Sequence, residues 1–151
     1  MTDSGYRGRI VPGQGYASQN YKVMIAEIAK EFPAVGQFSQ HGTINVHLET
    51  AIENSQADHW TKPVSWNPVA GFPSPRIEGF GFTRIKFKCL GLYDAWMIFP
   101  EGHVWTYSGE GVEVIADYIH GVKPGLSCSI HLDHLPLVPR PAWFGEHFGL
   151  N

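Results

Sequence analysis

The chain has no run of basic residues. Eleven Lys and Arg are scattered among fourteen Asp and Glu over 151 residues, for a net charge of −3. A phosphate backbone has nothing continuous to grip, which argues against a nucleic-acid partner. Cysteine is scarce: Cys89 and Cys128 are the only two, and two cannot make a disulfide framework. Both fall in alternating apolar runs and read as buried free thiols, of the kind a reducing cytosol preserves. No apolar stretch is long enough to span a bilayer, and the polar segment Met1 to Gly8 lacks the apolar core of a signal peptide. The expectation is therefore a soluble, cytoplasmic protein with no membrane partner. Also missing are a His-Glu-x-x-His helix, a cysteine pair at metal-ligand spacing and a nucleophile elbow.

Apolar residues make up 43% of the chain and charged ones 17%, which is a globular balance. The length suits one domain spanning 1–151, with a real core. Seventeen glycines and eleven prolines favour many short strands joined by tight turns over a helical bundle. Arg7 to Pro12 reads as a first strand, and the glycine loop that runs on from Pro12 to Ser18 cannot continue it. Tyr21, Met24, Ile25, Ile28 and Phe32 then recur at three- and four-residue intervals. That spacing predicts one face of an amphipathic helix, capped by Asn20 or Ser18 and stopped by Pro33.

From Gly42 the period drops to two. Ile44, Val46 and Leu48 face one way, and Thr43, Asn45, His47 and Glu49 the other. Residues 54–75, with four prolines, Trp60 and Trp66, read as a long loop that packs through its Trp side chains. Thr83 to Leu90 alternates, with Ile85, Phe87 and Cys89 on one side. Ala95 to Phe99 is continuously apolar, His103 to Tyr107 follows a Pro-Glu-Gly turn, and Val112 to Ala116 is apolar around Glu113. Leu126, Cys128, Ile130 and Leu132 alternate with Ser127, Ser129, His131 and Asp133, and an aromatic tail, 136–151, packs on the body. Six or seven strands with one early helix predict a small closed or nearly closed, mainly β barrel, because closure removes sheet edges.

Three places in this pattern have the residue types for chemistry. The loop Gly13, Gln14, Gly15, Tyr16, Ala17, Ser18 leaves backbone N–H groups free to converge on an anion ahead of a helix, although such loops are also plain turns. Thr43 and Asn45, two apart on a strand, aim a hydroxyl and an amide oxygen from one face. These are oxygen ligands suited to Mg²⁺ that also rests on substrate phosphates, or else simply the wet side of a half-buried strand. Glu113 lies between Val112 and Val114. A carboxylate there suits a general base or an acceptor for a substrate hydroxyl if desolvated, or is the outward residue of an edge strand. Of the eight His, His131 shares a strand face with Asp133 beside His134, and His41 and His47 flank Gly42-Thr43. No further ligand at zinc spacing accompanies them, and scattered surface His is the plainer reading.

In this order, Gly13-Gln14-Gly15, Gly42-Thr43-Ile44-Asn45, Val112-Glu113-Val114-Ile115-Ala116 and the closing Pro124-Gly125-Leu126-Ser127-Cys128-Ser129-Ile130 resemble the archaeal-type, CTP-dependent riboflavin kinases. The similarity spans roughly Gly8 to Leu132 and thins through the Trp-rich middle. It implies a six-stranded cradle-loop barrel that moves a phosphoryl group from CTP to riboflavin, giving FMN. It further implies that Gly13 to Ser18 hold the nucleotide phosphates, that Thr43 and Asn45 bind Mg²⁺, and that Glu113 and, more loosely, Thr106 touch the flavin. Ala17 stands where the family has a further glycine, and Ser18 or Gln19 where it has a basic residue. Asp117-Tyr118-Ile119-His120-Gly121 replaces a segment with Leu-Arg. These departures keep a second reading open, a non-catalytic or differently acting barrel that binds a nucleotide or another small ligand. A metal-dependent enzyme built on His41, His47, His131 and His134 is a third.

Overall fold

The alternating apolar residues at 44–48, 85–89 and 128–132 line the inside of a closed barrel. The computed structural model describes residues 5–12, 16–38, 43–66, 76–102 and 109–146, with backbone only at 16–22, 38, 66 and 76. Its strands are β1 (Gly5–Ile10), β2 (Ile44–Leu48), β3 (Gln56–Ala57), β4 (His59–Trp60), β5 (Val64–Trp66), β6 (Arg76–Glu78), β7 (Phe80–Lys88), β8 (Leu92–Pro100), β9 (Gly111–Ala116), β10 (Ser127–Leu132) and β11 (Val138–Pro139). Helix α1 (Tyr16–Glu31) and a 3₁₀ turn (Pro33–Phe38) lie between β1 and β2. Six strands close in the order β1-β2-β9-β8-β7-β10 and back to β1, every pairing antiparallel. The expected mainly β, six-stranded closed barrel with one α-helix is therefore what the described residues form.

Strand parity sorts the side chains. Val46, Leu48, Ile85, Phe87, Ala95, Met97, Val112, Val114, Cys128 and Ile130 point inward and make one buried cluster. A second cluster lies outside the wall: Met24, Ile25 and Ile28 of α1 pack on Phe80, Phe82, Trp96, Ile98 and Ile115. The helix thus covers the outer face of β7, β8 and β9, and all six residues of β9 are buried. Its C-terminal end is pinned. A Glu31 carboxylate oxygen accepts from the Lys62 backbone N–H at 3.0 Å, and His59 Nε2 lies 3.0 Å from the other. Phe32 stacks on the His59 ring with 4.5 Å between centroids.

Two expectations need correction. The helix starts at Tyr16, so Tyr16, Ala17 and Ser18 form its first turn rather than the end of a loop. Neither Ser18 nor Asn20 caps it. Tyr16 to Asn20 contain no helix breaker, and the apolar spacing marks only the half that packs on the barrel. The described part of 54–75 is not plain loop: β3, β4 and β5 lie in it, β4 pairing with Phe82 and Gly81 of β7, and β3 with β11 of the tail. Strands of two or three residues are too short to show a period. The proposed strand His103 to Tyr107 lies outside the described residues.

Trp60 of β4 joins the described part of the tail to the barrel wall. Trp60 meets Phe99 and Phe144 edge-on, and its indole N–H donates to the Val138 carbonyl at 2.7 Å. Phe144 is fully buried, so these aromatics fill a core between the tail and the barrel wall.

Gly8 of β1 has no room for a side chain beside β2. A Cβ there would lie 2.6 Å from the His47 carbonyl oxygen and 2.9 Å from Val46 Cγ1. Backbone cannot yield as a side-chain tip does, so Gly8→Ala should cost about 1–3 kcal/mol of overpacking strain, read from urea unfolding. Both cysteines are free and buried. They stand one step beyond the Ser129–Lys88 pair of the β10–β7 ladder, on the inner face. Burial pushes the Cys89 thiol up, and burial with the Cys89 thiol nearby pushes Cys128 up to about 12. Only a thiolate attacks a disulfide reagent. Neither thiol should react at pH 8 until denaturant is added, when both should. Rapid labelling of the native protein would contradict this placement.

Candidate functional site

β2 and β9 are neighbours in the barrel although about seventy residues separate them. Their register sets Asn45 directly opposite Glu113 and Ile44 opposite Val114. Directly opposed residues share a face, with Cβ atoms about 5 Å apart. Thr43, just before β2, reaches the same place. Its hydroxyl donates to Glu113 Oε1 at 2.9 Å. Thr43 and Glu113, from two separate motifs, therefore meet on the outer face of the barrel, with Asn45 on the same face at the position opposite Glu113.

Glu113 is not the outward residue of an edge strand. β9 is paired on both sides, with Ile98 of β8 opposite Glu113 on the far side from Asn45. The carboxylate is buried, while Thr43 and Asn45 are half-buried. Val112 and Val114 face the lumen, so they are not the cause of that burial. β1 also ends here: Val11 N–H donates to the Asn45 carbonyl at 3.0 Å. The chain thus enters the glycine segment from beside Asn45.

The donor set is a hydroxyl, a carboxamide and a carboxylate, all oxygen, which is the chemistry of a hard divalent cation and not of zinc. The Thr43 hydroxyl gives its hydrogen to Glu113 and keeps lone pairs for a cation. The residues present fit Mg²⁺ in this respect. Of the other sequence candidates, Gly13, Gln14, Gly15 and Thr106 lie outside the described residues, and Tyr16, Ala17 and Ser18 are described as helical backbone only. His41 is also outside. His131 Nε2 lies 2.9 Å from Ser129 Oγ, His134 Nε2 2.6 Å from Asp58 Oδ1, and His47 Nε2 4.0 Å from Glu110 Oε2. Each has its own partner, and among the described residues no three His, Cys, Asp or Glu gather as a metal group.

Two features escaped the sequence reading. Glu101, taken as part of a turn, is fully buried and accepts the backbone N–H of Gly79 at 2.8 Å and of Gly145 at 2.6 Å. Arg7 and Arg9, two apart on β1, both face outward beside Ser127 of β10 and His47 of β2. Their equal parity was the available signal. Among the described residues no helix is long and apolar enough to cross a membrane. Compared with known proteins, the chain matches no family model, and no curated protein aligns with it significantly.

Proposed function

We propose that this barrel transfers a phosphoryl group from a nucleoside triphosphate to riboflavin or a similar small alcohol, as a divergent relative of the archaeal-type, CTP-dependent riboflavin kinases. One observation carries the reading: the Thr43–Glu113 hydrogen bond of 2.9 Å joins the two motifs that the resemblance assigns to metal and flavin. Asn45, opposite Glu113, completes the group.

The chemistry asks for alignment and charge neutralisation more than for covalent work. Glu113, oriented by the Thr43 hydroxyl, accepts the proton of the acceptor hydroxyl. That oxygen bonds to the γ-phosphorus as the bond to the bridging oxygen breaks, and the nucleoside diphosphate leaves. Thr43 and Asn45 would hold Mg²⁺, which when bound offsets the charge of the phosphates.

The test is direct. Riboflavin, Mg²⁺ and each of the four nucleoside triphosphates are incubated with the protein, and FMN is followed by chromatography. FMN with at least one donor, CTP above all, is the expected result. A triphosphate that raises the melting temperature without any FMN would replace the reading with a nucleotide-binding barrel. Neither effect with any triphosphate would remove both.

A further inference from the structure

On the outer face of β1, away from the helix, the wall carries an open recess of about 460 Å³ lined by Arg7, Arg9, Val11, His47, Glu49 and Ser127. Arg9 is opposite both Ser127 on β10 and His47 on β2, and Arg7 is opposite Ser129. The two arginines stand on one face of β1, their Cα atoms about 7 Å apart along the strand. Both Arg residues are exposed, and among the described residues neither guanidinium makes a hydrogen bond or an ion pair. Glu49 lines the recess as well, its backbone N–H bonded to the Arg7 carbonyl at 2.9 Å.

Unpaired arginines facing a concave surface are suited to a phosphate, whose oxygens match their forked donors and which the Ser127 hydroxyl can also reach. Glu49 adds the opposite capacity. A carboxylate at the side of a phosphate pocket repels a second phosphate and accepts hydrogen bonds from hydroxyls. The volume lies in the range of small-molecule sites. We infer that this recess is a binding site for a phosphomonoester of a small polyhydroxylated molecule, such as a sugar phosphate. The inference needs neither the phosphoryl-transfer reading nor the glycine segment. A single-stranded nucleic acid is disfavoured, because Glu49 lines the recess with the arginines and the chain is net acidic.

Calorimetric titration of the full chain with ribose 5-phosphate, ribose, inorganic phosphate and a single-stranded RNA 20-mer tests this. Ribose 5-phosphate should bind one to one, more tightly than inorganic phosphate, with ribose silent. Arg7→Gln and Arg9→Gln, both on exposed side chains, should each weaken it about 10- to 100-fold, and Arg9→Lys less. Thr43→Ala should leave it unchanged. No saturable binding at millimolar ligand, full affinity in the Arg7→Gln/Arg9→Gln double variant, loss in Thr43→Ala instead, or RNA binding tighter than ribose 5-phosphate would each overturn the inference. Circular dichroism of the variants confirms that they fold.

Discussion

Glu101→Ala is expected to lower stability by about 3–5 kcal/mol. The side chain is fully buried, and its two oxygens accept from Gly79 N at 2.8 Å and Gly145 N at 2.6 Å. Charge-assisted bonds to backbone donors are the stronger kind. Truncation leaves two N–H groups away from water without these acceptors, and a cavity besides. Glu101→Gln keeps the shape but turns one acceptor into a donor that meets an N–H head-on, so it should recover only part of the loss. The effect should also be located. Gly145 adjoins Phe144, which packs on Trp60 and Phe99, and Trp143 lies against Gly79. Loss of the carboxylate should therefore loosen the tail first. Urea unfolding with tryptophan fluorescence, together with limited proteolysis, reads both parts. A Glu101→Ala protein with wild-type midpoint and an uncut tail would show that the clamp contributes little.

Where one face of an element is wet, its period was visible in the sequence. Ile44, Val46 and Leu48, like Cys128 and Ile130, face the lumen while their neighbours face outward, and the period of two reported this directly. Met24, Ile25 and Ile28 did the same for the helix at the longer period. Legibility failed where both faces are covered. Phe80 to Thr83 are all buried, the outer face of the wall here lying under α1, so β7 began three residues before the alternation showed it. The candidate site was half legible for a related reason. Thr43 and Asn45 share a face by parity alone, but their placement beside Glu113 depends on the β2–β9 register, which no local pattern encodes. Glu101 was illegible altogether, since its burial is made by a tail more than forty residues further along the chain.

Glu113→Gln is expected to reduce FMN formation by about 10²- to 10⁴-fold, the range of a lost general base. The substitution is nearly isosteric, and an amide oxygen still accepts from the Thr43 hydroxyl, so the fold and the 2.9 Å contact have every reason to survive. Only the capacity to take a proton is removed. Triphosphate binding should persist, which places the loss in the chemical step rather than in KM. Thr43→Ala and Asn45→Ala should behave differently. Each removes an oxygen from the proposed cation site while leaving the carboxylate, so the Mg²⁺ concentration for half-maximal rate should rise about tenfold or more, since even supporting contacts to a metal are worth 10- to 100-fold. Saturating Mg²⁺ should restore much of the rate in these two variants and none of it in Glu113→Gln. That split separates holding a cation from moving a proton, and a stability defect alone would produce neither pattern. Wild-type turnover by Glu113→Gln would reduce the acid to a partner for Thr43 in wall packing. An unchanged Mg²⁺ requirement in both other variants would take the cation away from this face of β2.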